Sequence, residues 1–154
     1  MIESLRRIVQ EVSAAASLDE ALTLIVRRVK ETMSVDACSL YLNDVKNGHY
    51  VLMATDGLNA SAVGNLRLGL REGLVGLVAE RQEPVNIENA SSHPRYRYFP
   101  ESGEEQYHDF LGVPIIHYRK VLGVLVVQHG EPRQMIPPFP HTPPSQSTAF
   151  PSRT

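Results

Sequence analysis

The stretch NIENASSHPRYRYFP, Asn86 to Pro100, gathers one histidine, two arginines and three aromatic rings in fifteen residues, directly after a short strand-like segment. Such a set suits three roles. It can close a small-molecule pocket, with rings excluding water and a few polar groups orienting the ligand. It can bind single-stranded nucleic acid, with bases stacked on rings between cations. It can also be a solvated connection whose rings merely plug onto the sheet beneath. Glu88, Glu101, Glu104 and Glu105 flank the cations closely, which argues against a basic face for nucleic acid. A loop this long in a compact domain is usually functional, which favours the pocket. His93 carries two readings of its own, a turn residue before Pro94 or a hydrogen-bonding lid residue.

Other chemistry finds little support. Cys38, the single cysteine, falls on the apolar side of an alternating segment, the setting of an inert buried thiol. Nucleophile-elbow, zinc-protease and phosphate-loop motifs do not occur. His49, His93, His108, His117, His129 and His141 form no i, i+3 or i, i+4 pair, so neither a metal site nor a catalytic group is expected.

The elements that must hold the loop can be traced from periodicity. Ile2, Leu5, Ile8, Val9 and Val12 mark one face of a first helix. Ser17 and Glu20 form a capping box that opens a second, with Ala21, Leu22, Ile25, Val26 and Val29 inward. The period then changes to two. ACSLYLND and HYVLMATDG are strands joined at Asn47-Gly48, a strong hairpin signal, and NLRLGL alternates again. GLVGLVAER from Gly73 is a short helix, and EPVNI is a strand that Pro84 confines to its start. Gly103 to Phe110 has weak helical character, and LGVPIIHY and VLGVLVVQ close the run around Arg119-Lys120. Helices followed by short strands, without strand–helix–strand alternation, predict an α+β fold on an antiparallel sheet.

With 154 residues and 42% hydrophobic content the chain can bury a sizeable core as one domain. A formal net charge of −2 exerts no global pull on nucleic acid or anionic membrane. The apolar runs are shorter than a membrane span, and the amino-terminal stretch lacks a signal-peptide core, so the expected location is cytoplasmic.

Alternation also distributes the side chains. Cys38, Leu40 and Leu42 share the face that the helices must cover, leaving Ser39 and Tyr41 on the other. Ser39, Tyr41 and Thr55 are therefore the expected pocket floor, with Asn86, His93, Arg95, Tyr96 and Phe99 as wall and lid. Arg95 is the expected anion partner, because a guanidinium grips a carboxylate with two parallel hydrogen bonds.

ACSLYLND, LMATDGL, EGLVGLVAERQEPVNI, HPRYRYFPESGEE and FLGVPIIHYRKVLGVLVVQ, taken in order, resemble a GAF domain. The likeness is greatest to the amino-terminal GAF domain of the nitrogen-type phosphoenolpyruvate-protein phosphotransferases, the enzyme I of the nitrogen phosphotransferase system. It covers residues 1–134. The resemblance implies a six-stranded antiparallel sheet with helices on one face and a loop-covered pocket on the other. It also implies a regulatory rather than enzymatic role, with glutamine or 2-oxoglutarate as the effector. The partners it implies are downstream enzyme I domains, whose phosphoenolpyruvate and Mg²⁺ chemistry lies outside this sequence, so no cofactor is expected in the chain. GAF domains also pair through terminal helices, which points to a homodimer on the Ile2–Val12 stripe. A scaffolding module without a working ligand site is the alternative.

The resemblance fades after Gln134. Seven of the eleven prolines lie beyond Glu131, and Pro137, Pro138, Pro140, Pro143 and Pro144 forbid the long helix that closes the family's fold. The expectation is a domain truncated or frame-shifted after Gln134, followed by a proline-rich disordered tail over 135–154.

Overall fold

A computed structural model describes residues 17–103 and 107–130. The expectations for the Ile2–Val12 helix and for the tail after Gln134 lie outside these residues. Helix α1 spans Leu18–Met33, and the Ser17 hydroxyl accepts the Glu20 N–H at 3.2 Å, as the capping box predicts. The helix stops at Ser34, which takes a left-handed conformation, and three residues later the first strand begins.

Six strands follow: β1 (Ala37–Asp44), β2 (His49–Asp56), β3 (Arg67–Gly69), β4 (Val85–Ile87), β5 (Asp109–His117) and β6 (Lys120–His129). They form one antiparallel sheet in the order β3-β2-β1-β6-β5-β4. The β1–β2 hairpin turns where Asn47-Gly48 predicts, with Gly48 at φ +74° and its N–H on the Asp44 carbonyl at 2.8 Å. Pro84 stands just before β4, where its missing N–H leaves the ladder intact.

Burial divides the sheet into two packed layers. On one face Leu22, Val26 and Val29 of α1 meet Cys38, Leu40, Ala54, Leu111, Leu125 and Val127. On the other, Tyr41, Leu52, Val124 and Val126 meet Leu74, Val75 and Val78 of helix α2, Gly73–Arg81. The short helix thus shares the loop side of the sheet, whereas the sequence places the helices together on the opposite face. The reason is its composition: Leu74, Val75, Leu77, Val78 and Ala79 are all buried, so α2 must be enclosed by loop and sheet at once. Its close seat needs Gly76, where a Cβ would come within 2.4 Å of the Arg71 backbone.

The long connection from Glu88 contains two single-turn 3-10 helices, Ala90–Ser92 and Pro100–Ser102. The helical character expected up to Phe110 gives way to strand, since Asp109 and Phe110 open β5. Phe110 pairs with Ile87 and Gln128 and buries its ring, a tertiary gain that outweighs weak local propensity. Among the described residues no helix is long and apolar enough to cross a membrane.

Leu111 is 1% exposed and belongs to the α1-side layer. Leu111→Ala should lower the unfolding free energy by about 2–5 kcal/mol. A urea transition shifted by less than about 1 kcal/mol would show that this layer is not packed as described.

Candidate ligand cleft

On the α2 side the loop and the sheet line a tight, partly open cleft whose cavity is about 20 Å³, room for a water molecule while the rings stay seated. The sheet contributes Tyr41 from β1, Leu68 from β3, Phe110 from β5, and Val126 and Gln128 from β6. Leu74 and Val75 of α2 form one wall. Ala90, Tyr96, Arg97, Phe99 and Tyr107 close it from the connection. Gly73 is required by its φ of +66° and not by space, since a Cβ there would meet Arg97 and Phe99 at ordinary contact distances of 3.5 and 3.9 Å.

The expected site residues separate into those that reach this cleft and those that do not. Tyr41, Tyr96 and Phe99 line it together. Ser39 and Thr55 lie on adjacent strands, but their hydroxyls bond each other at 2.9 Å, and the Thr55 oxygen also accepts the Leu58 N–H. Both are committed to holding the exit of β2. Asn86 pairs with Leu111 and alternates with Val85 and Ile87, which face the cleft layer, so it occupies the opposite face. His93 ends the first 3-10 turn, and its Nδ1 accepts the Arg95 N–H at 3.0 Å. Arg95 is placed otherwise than expected. Its guanidinium donates to the Glu80 carboxylate at 2.9 Å and to the Arg71 carbonyl at 2.8 Å, tying the loop to α2.

Arg97 is the cation at the cleft instead. It is ion-paired with Glu72 at 3.3 Å, and Glu72 also accepts the Gly69 N–H. Sequence reasoning omitted Arg97, Tyr107, Phe110 and Gln128. Arg97 differs from Arg95 only in the direction the loop gives it, which no local pattern encodes. Gln128 did leave a signal: it shares a face with Val124 and Val126 as a lone polar residue on an apolar strand. Tyr107 is held by its hydroxyl, which donates to the Gly57 carbonyl at 2.8 Å.

The lining combines rings and aliphatic chains with a few polar groups at Tyr41, Tyr96, Tyr107, Gln128 and Arg97. Cys38 lies in the other layer, fully buried, where burial pushes its thiol far above the ordinary range. Among the described residues no group of histidine, cysteine and carboxylate side chains is arranged to hold a metal.

The GAF domain family model matches residues 17–146. This chain belongs to the GAF domain family. Over 134 residues, 87% of its length, it is 45% identical to a protein of the phosphoenolpyruvate-dependent phosphotransferase system of Escherichia coli, and spans 18% of that relative. It is 52% identical to the GAF domain of a phosphoenolpyruvate-protein phosphotransferase from Coxiella burnetii, with a TM-score of 0.82, covering 88% of this chain and 80% of that one. The corresponding Acinetobacter domain is 49% identical, with a TM-score of 0.77 over 86% of this chain and 78% of that one. The six-stranded antiparallel sheet of this GAF domain is the fold the sequence implies.

The GAF domain's lid should respond to pH through His93. Burial first, then the cations Arg81 and Arg95, hold its pKa below the ordinary 6.5. A proton on Nδ1 would also abolish the bond from the Arg95 N–H. Between the depressed pKa and about 6.5 the unfolded chain binds a proton that the folded chain refuses. His93 therefore contributes full stability above that range, and the contribution falls with pH until the folded pKa is passed. Denaturation from about pH 8 to about pH 5 should show a shallower loss of stability for His93→Asn than for the wild type. Equal slopes would remove His93 from the account.

Proposed function

We propose that this GAF domain is the small-molecule-sensing regulatory module of a phosphoenolpyruvate-protein phosphotransferase, acting in the cytoplasm. A ligand in the cleft would modulate phosphoryl transfer carried out by other domains. The observation that carries this reading is the lid itself. Tyr96 and Phe99 pack against the cleft-side core, and their loop is tied to α2 through the Arg95–Glu80 pair. A ligand that changes how the rings seat changes the position of α2 and of the loop. Such an effect requires a differential affinity for two lid arrangements, and it can be no larger than that difference.

The chemistry of the lining narrows the class. The two loop arginines already face Glu80 and Glu72, so a free multivalent anion would have to displace a carboxylate. The lining hydroxyls are engaged as well, Tyr107 with the Gly57 carbonyl, so either effector that the family resemblance offers, glutamine or 2-oxoglutarate, would have to share groups that already hold partners.

The test is ligand-dependent stabilisation. Glutamine at about 100 times its dissociation constant should raise the unfolding free energy by about 2.7 kcal/mol. Tyr41→Phe removes one hydroxyl from the floor and should weaken that binding by roughly tenfold, the effect of about one hydrogen bond. In a longer protein that carries the phosphoryl-transfer domains, the same ligand should change the rate of autophosphorylation by phosphoenolpyruvate. If neither glutamine nor 2-oxoglutarate shifts the unfolding transition, the sensing role fails and a scaffolding module remains.

A further inference from the structure

Six of the eight exposed large hydrophobic residues among those described lie at one end of the sheet. They are Leu18, Val45, Leu70, Ile116, Tyr118 and Leu122. The register shows why they meet. His49 pairs with Asp44 and with Gly69, so the β1–β2 turn and the end of β3 are level. Leu42 pairs with Gly123, and His117 with Lys120, which brings the β5–β6 turn to the same edge. Lys30 of α1 bonds Asp56 at the far end of β2, so the start of the antiparallel helix, with Leu18, returns to this end. A 16-residue helix rises about 24 Å, close to the length of an eight-residue strand, which makes the two ends coincide.

The β5–β6 turn is built at a cost. Tyr118 and Arg119 both adopt positive φ, +50° and +64°. Asn-Gly is the favoured pair for such a turn, and a bulky side chain there is strained. Tyr118 is nonetheless 85% exposed, and its described ring contact is an edge contact with His117 at 4.2 Å. A strained, exposed aromatic contributes nothing evident to the fold.

Charge is divided across the same end. Asp19 and Glu20 occupy the first turn of α1, whereas Lys46, Arg119 and Lys120 occupy the two hairpin turns, where Asp44 is the one carboxylate and lies 3.5 Å from His49. No ion pair joins the two groups among the described residues. A two-fold axis through the apolar centre would set the acidic turn of one copy over the basic turns of the other, the self-complementary arrangement that an isologous dimer requires. We infer that this end of the sheet is a self-association surface whose occupant is a second copy of this chain. None of its six apolar residues belongs to the Ile2–Val12 stripe. Five strand ends span four spacings, about 19 Å, so the contact is small and its association should be weak and concentration-dependent.

Sedimentation of the full chain from about 10 to about 500 µM should show its mass rising from one chain toward two, less so at high salt. Tyr118→Asn combined with Arg119→Gly relieves the strained turn, so it should fold with equal or higher Tm while associating at least tenfold more weakly. Lys120→Glu alone should weaken association, and adding Glu20→Lys should restore it. That rescue requires the two charges to meet across copies. A wild-type chain that stays single at every concentration overturns the proposal, as does unchanged association of the turn variant. A Tyr118→Asn, Arg119→Gly variant of lower Tm overturns it as well, because it would place Tyr118 in contact with its own chain.

Discussion

The pairing of β1 with β6 at the centre of the sheet is the constraint on which the other features depend. It aligns Ser39 with Val126 and Tyr41 with Val124, so the two strands present matched side chains to both faces. A one-residue slip of β1 against β6 would send Tyr41 into the α1 layer and Cys38 and Leu40 into the cleft layer. Both cores oppose such a slip, since each face is buried over Ala37–Tyr41 and Gly123–Gln128. Gly123 sharpens the match: a Cβ there would come within 2.4 Å of the Tyr41 carbonyl.

Magnitudes decide what holds the lid. The Arg95–Glu80 and Arg97–Glu72 pairs are both partly exposed, and pairs of that kind contribute about 0–1 kcal/mol each. Fully burying an aromatic ring is worth about 1.5–3 kcal/mol, and the half-buried rings of Tyr96 and Phe99 each gain a share of that. Tyr96 and Phe99 therefore anchor the loop, and the ion pairs set its register against α2. A lid held chiefly by ring packing can repack without breaking a buried charge, which the proposed sensing role would require.

The same division explains which site residues were legible in the sequence. Alternation in ACSLYLND identifies Tyr41 as facing away from the α1 layer, and that holds because strand geometry is local. Tyr96 and Phe99 were visible as rings in a polar loop, since large apolar groups seek cover wherever the chain passes. Asn86 misled because β4 has only three residues, too short for its own pattern to say which face meets the cleft. Ser39 and Thr55 were visible as polar residues on the right face, but their mutual hydrogen bond depends on the β1–β2 register.

Element order, the capping box at Ser17, the hairpin at Asn47-Gly48, the buried thiol and the two-faced character of β1 were determined by the sequence alone. Each rests on contacts between residues close along the chain, or on a periodicity that a strand or helix must obey. The side of the sheet on which α2 packs, the choice of Arg97 over Arg95 at the cleft, and the level ends of four hairpin-forming strands were decided by the tertiary structure. These depend on where distant segments come to lie. An arginine's neighbours in sequence set its charge, but only the packed loop directs it toward Glu80 or toward the cleft.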